Sequence, residues 1–79
     1  MLSKNDREIL KKFGENLKKI RESKGYTVRT LSHQCNIDFS DISKIEKGLK
    51  NITFKTMLDL ARGLEIAPKR LLEFEAEWL

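Results

Sequence analysis

Few residues in this chain could do covalent chemistry. The 79 residues include one cysteine and one histidine, Cys35 and His33. One of each cannot close a structural zinc site, and one thiol cannot form an internal disulfide. No carboxylate pair, nucleophile-base arrangement or phosphate-cradling glycine loop accompanies them. Cys35 falls on the apolar face of a helical pattern, where a thiol is expected to be buried and inert. We therefore expect no enzymatic activity, no metal and no cofactor. What remains is the chemistry of hydrogen bonds and charge. Its densest concentration is the short row Phe39, Ser40, Asp41, Ser43 and Lys44, which offers a cation, a carboxylate, two hydroxyls and an apolar ring.

That row must be positioned by the stretch that contains it, Thr27 to Gly48. Thr27 can cap a first helix, with Leu31 and Cys35 four apart on its apolar face. Asn36 stands where the chain must turn, and asparagine enters the left-handed region more readily than most residues. Asp38 restarts a helix as its N-cap, with Ile42, Ile45 and Leu49 at helical spacing, and Gly48 suits the helix end. Two short helices joined by a tight turn form a helix-turn-helix, whose second helix can enter a DNA major groove.

The flanking segments are helical too. Ser3 and Asp6 make a variant capping box, and Ile9, Leu10, Phe13, Leu17 and Ile20 define one buried stripe. Gly14 interrupts that helix, either to permit close packing or to mark a break. Thr53 caps a fourth helix with apolar positions Phe54, Met57, Leu58, Ala61 and Leu64, and Gly63 leaves its end ambiguous. Pro68 suits the first turn of a fifth helix carrying Leu71 and Leu72, mostly as core. No stretch alternates long enough to suggest a strand. The expectation is one all-α domain, residues 1–79, with five helices.

Composition agrees with a soluble globular domain: 39% hydrophobic and 35% charged, with no apolar run near the ~20 residues a membrane helix requires. The N-terminus lacks a signal-peptide core, so a cytoplasmic location is expected. The net charge of +4 is unevenly placed. Residues 1–24 carry +4, residues 25–56 carry +2 and residues 57–79 carry −2. The excess thus lies with the helix-turn-helix, as a polyanion partner would favour.

Over residues 13 to 72 the chain resembles the phage-repressor-like (lambda repressor/Cro, or Xre) helix-turn-helix family. The matching elements are Leu31-Ser32, Asn36-Ile37, the heptapeptide Ile42 to Gly48, and then Thr53 to Leu58, Leu60-Ala61, Leu64, Ile66 and Leu71-Leu72. The heptapeptide, Ile-Ser-Lys-Ile-Glu-Lys-Gly, is the most specific. The resemblance implies a compact five-helix lambda-repressor-like fold and an ion pair between Arg21 and Glu46. A carboxylate beside the seam of Ile42 and Ile45 would be costly unpaired. The chain departs from the family at Val28, where a glutamine is common, at Ser32 for a packed alanine, and at Asn36 for the turn glycine. A serine at 32 fits if its hydroxyl bonds back to a carbonyl.

By family position Phe39, Ser40 and Lys44 are the base-edge readers, with Asp41 and Ser43 beside them. Lys44 could donate to guanine O6 and N7, and Ser40 could bond several bases. Asp41 could accept from a cytosine amino group or orient Lys44. Phe39 could meet a thymine methyl or pack back on Thr27 and Val28. Thr27, the Val28 amide, Arg29, Lys47, Lys50 and Asn51 are placed to follow phosphates. The implied function is sequence-specific double-stranded DNA binding by a transcriptional regulator, a repressor, with helix 39–47 in the groove. It would act as a homodimer on a two-fold symmetric operator. The apolar end of the acidic segment 73–79 (Phe74, Trp78 and Leu79) is the candidate dimer surface if exposed; folded back onto Ile9, Leu10 and Phe13, it would complete the core. The alternative is an antitoxin or other protein-interaction module that binds a toxin or another protein through this end, with DNA binding as autoregulation.

Overall fold

A computed structural model describes residues 2–76, and all their regular structure is helical. Four α-helices, α1 (Lys4–Ser23), α2 (Val28–Cys35), α3 (Phe39–Glu46) and α4 (Phe54–Leu64), are followed by a 3-10 helix, Pro68–Leu72. The fifth helix expected from the sequence is thus a 3-10 helix of five residues. Pro68 opens it, and only Leu71 within it is buried. Leu72, expected mostly in the core, is 52% exposed. A segment this short has one inward side chain to bury, too little to drive further α-helical turns.

Three of the four α-helices start on a capping hydrogen bond. The Ser3 hydroxyl accepts from the Asp6 amide and the Asp6 carboxylate accepts from the Ser3 amide, both at 3.1 Å. Thr27 and Thr53 each accept from an amide three residues on at 3.1 Å. Asp38 occupies the N-cap position of α3 but makes no capping bond. Its carboxylate instead accepts from the Ser40 hydroxyl at 2.8 Å.

Helix ends follow the left-handed positions. Asn36 ends α2 at φ 58° and ψ 39°. At Gly48, φ 75° lets the Leu49 amide return to the Lys44 carbonyl at 2.9 Å. That turn carries Leu49 off the stripe of Ile42 and Ile45, so it is 71% exposed instead of joining the seam. Phe54 is likewise not a core residue: it is the first residue of α4 and stands 69% exposed.

Leu17, Leu31, Ile42, Leu60, Leu64 and Leu71 are fully buried, and between them every helix contributes. Each such side chain is worth roughly 1.5–3 kcal/mol of burial. Ile9 and Leu10 lie at the core's edge, half-buried. Two glycines set how closely helices approach. A Cβ on Gly14 would strike the Ile45 carbonyl and lie 2.5 Å from the Glu46 carbonyl, so α1 rests directly on the last turn of α3. The interruption at Gly14 is therefore a packing device inside a continuous helix. Gly63 also lies within its helix, and a Cβ there would sit 2.7 Å from the Cys35 Cβ on α2. The Ser32 hydroxyl donates to the Ile37 carbonyl at 2.5 Å. It therefore bonds forward across the turn, not back along its helix.

From Arg70 onward the chain lies against α1. Asn16 donates to the Arg70 carbonyl and Lys12 to the Glu75 carbonyl, both at 2.9 Å. Phe74 is half-buried against the core, and Ala76 is buried.

One buried charge ties three segments together. Arg21 donates from Nε and Nη2 to the two oxygens of Glu46, at 2.7 and 3.1 Å, and from Nη1 to the Tyr26 carbonyl at 2.8 Å. Their side chains are 9% and 7% exposed. The hydrogen bond to Glu46 raises the arginine's already high pKa, so the guanidinium stays charged at any pH where the fold exists. Glu46→Ala strands that cation, and unfolding in urea should show a loss of about 3–5 kcal/mol. A loss within about 0.5 kcal/mol would show that the pair does not hold α1 to α3.

Candidate nucleic-acid interface

The candidate interface is built on α3, whose inner face is fixed by Ile42 and Ile45. Its outer face therefore carries Phe39, Ser40 and Lys44 exposed, with Asp41 and Ser43 partly so. These five share one short helix, but their bonding differs from the sequence expectation. Asp41 does not orient Lys44 through a hydrogen bond. It binds Lys50, whose Nζ lies 2.8 Å from Oδ1. Ser40 is held by Asp38. Phe39 is 42% exposed, and the guanidinium of Arg29, in the first turn of α2, lies 4.5 Å from its ring centroid.

The residues expected along the phosphates divide into two groups. Thr27, Val28 and Arg29 open α2. The Thr27 hydroxyl is occupied as a cap, and the Val28 side chain packs on the core, leaving its first-turn amide as the polar group. Lys47, Lys50 and Asn51 follow α3, all exposed, with Lys50 engaged by Asp41. Phe74 lies away from this row, against the core near α1. Trp78 and Leu79 lie outside the described residues.

Two pairings were missed from the sequence. Arg29 and Phe39 are ten residues apart across a turn, and no periodicity joins them. Asp41 and Lys50 are nine apart, and only the chain reversal at Gly48 brings them together.

The lysine's hydrogen bond holds the Asp41 carboxyl below the usual carboxylate range, and the charges of Lys50 and Lys44 add to this. The stability the pair contributes is therefore present above the unfolded carboxylate pKa, and is lost as pH falls through the lowered folded value. At neutral pH the pair is intact. Burial pushes the Cys35 thiol up, so it remains protonated. Among the described residues no group of His, Cys, Asp and Glu is arranged to hold a metal. No described helix is long and apolar enough to cross a membrane.

Residues 14–77 match the helix-turn-helix domain family. The chain belongs to that family. It is 32% identical to the control protein C.BamHI of Bacillus amyloliquefaciens over 63 residues, which is 78% of each chain. The crystal structure of the restriction-modification controller protein C.AhdI from Aeromonas hydrophila superposes with a TM-score of 0.77. It is 35% identical, with 78% of this chain and 94% of that one covered. The controller protein C.Esp1396I, solved as a tetramer on its natural 35 base-pair operator, gives a TM-score of 0.76 at 35% identity. That match covers 82% of this chain and 86% of the other. The resemblance to phage-repressor-like regulators thus corresponds to a shared fold and family.

With α3 in a DNA groove, the Asp41 carboxylate would oppose the neighbouring phosphates. Asp41→Asn removes that repulsion and releases Lys50 to a phosphate. Affinity for non-specific duplex should rise several-fold at low salt, and the salt slope should steepen by about 1. Fluorescence anisotropy at two ionic strengths measures both, and unchanged values would show that Lys50 lies off the DNA path.

Proposed function

We propose that this protein is a transcriptional regulator that binds operator DNA as a homodimer, with α3 in the major groove. It acts as a repressor of the restriction-modification controller type, in the cytoplasm and without a cofactor. The observation that carries the reading is the solved relative of the same fold, 35% identical, held on its operator. The electrostatics support it, since the positive excess lies in residues 1–56 with the reading helix. Lys44, exposed on that helix, is the residue assigned to guanine O6 and N7. The protein-partner alternative needs the segment from residue 73 onward, yet Phe74 and Ala76 pack on their own domain.

For the same reason we place the two-fold contact at Leu49 and Phe54 instead of at Phe74. These two are the most exposed large apolar side chains among the described residues, and they lie on either side of the α3–α4 connection. The proposed occupant of this surface is a second copy of the chain, because half-sites one helical turn apart, about 34 Å, need two reading helices.

Selection from random duplex DNA should return a palindromic site. Lys44→Ala should then lose about 1–3 kcal/mol on that site while keeping its thermal melt. Equal affinity would remove Lys44 from the reading set. The double change Leu49→Asp and Phe54→Asp should sediment as a monomer at concentrations where the parent is a dimer. A variant that remains dimeric would place the contact elsewhere.

A further inference from the structure

We infer that Arg29 and Phe39 act as one base-reading unit for a thymine–guanine step, with Arg29 a determinant of specificity and not a phosphate clamp. The inference rests on the operator-binding function proposed above and names part of what is read. Phe39 is the first residue of α3, the end of a recognition helix that meets base edges. Its ring is partly exposed, and the Arg29 guanidinium lies over it. A guanidinium stacked on a ring is restrained while its N–H edges stay open. Among the described residues those edges have no hydrogen-bond or carboxylate partner. The nearby acidic side chains are engaged elsewhere, Asp38 with Ser40 and Asp41 with Lys50.

The geometry suits adjacent bases. Guanidinium and ring are 4.5 Å apart, close to the ~3.4 Å rise between neighbouring nucleotides of one strand. With the ring on a thymine C5-methyl, a guanidinium at this distance is within reach of the neighbouring base, where guanine presents O6 and N7 to a bidentate arginine. The stack also gives an apolar residue a role at a position otherwise unfavourable beside phosphates. Phe39 is a platform that restrains Arg29 as well as a methyl contact.

The experiment compares sites selected by the parent chain, Arg29→Ala, Arg29→Lys and Phe39→Leu, followed by anisotropy on the parent's best site. The parent site should contain a thymine–guanine step in each half. Arg29→Ala should bind it roughly 5- to 150-fold more weakly and lose the preference for that guanine. Arg29→Lys keeps the charge but not the fork, and should recover only part of the loss. Phe39→Leu should relax the preference at both bases of the step. Replacing the guanine by 7-deazaguanine should weaken the parent and leave Arg29→Ala unchanged. A uniform loss on all sequences, with the guanine preference intact, would overturn the inference in favour of a phosphate contact. If the parent selects no site at all, the operator-binding function itself fails.

Discussion

The buried guanidinium of Arg21 is the constraint on which the rest of this domain depends. It is bound at once by α3 through Glu46 and by the chain entering α2 through Tyr26. Removing a charge from water is costly, so the arrangement persists only while every donor is matched. Gly14 reinforces it two turns earlier, where the absence of a Cβ lets α1 touch the carbonyls at the end of α3. The recognition helix is eight residues long and would not be stable alone. Its rigidity comes from two isoleucines, a glycine-sized contact and one satisfied ion pair. A reading surface on so short an element is only as accurate as that anchorage.

The close contacts on the other side of the motif follow the same logic. Gly63 brings α4 against Cys35 of α2, and Ser32 bridges the turn to Ile37. The serine's polarity would penalise a packed site, but its hydroxyl satisfies the carbonyl of the residue that leads into α3. This stiffens the angle between the two helices of the motif. The departure from the family's alanine is therefore a local exchange of packing for a hydrogen bond.

How much of this could be read from sequence follows from the range of the forces involved. Ser3, Thr27 and Thr53 mark helix starts because capping is decided within three residues. The core stripe was legible at Phe13, Leu17, Ile20, Leu31, Ile42 and Leu64 because helical spacing reports burial once a helix is established. Spacing failed at helix edges. Leu49 and Phe54 keep the right interval, yet one follows a left-handed turn and the other precedes the packed face. Leu72 failed because a 3-10 helix rotates side chains by a different step from an α-helix. Arg21 and Glu46 are 25 residues apart, and only the family resemblance paired them. Arg29 with Phe39 and Asp41 with Lys50 follow from a turn's three-dimensional path, which local pattern does not encode.

The exposed side chains of α3 are nonetheless not free. Asp38 holds Ser40, Lys50 holds Asp41, and Arg29 lies over Phe39. Each contact lowers the raw attraction for DNA or restricts a side chain before binding. Pairing Lys50 with a carboxylate removes one unit of net charge from the reading face, which disfavours indiscriminate phosphate binding more than base contact. Were Arg29 and Ser40 to meet DNA, their restriction would reduce the rotamer entropy lost on docking, about 0.5–1.5 kcal/mol for each immobilised side chain. Both effects act in the same direction. With a net charge of +4, an α3 placed in a DNA groove would draw its discrimination from groups already held in place. The unusual residues on this helix, a phenylalanine and an aspartate among polar neighbours, become intelligible as parts that hold other groups.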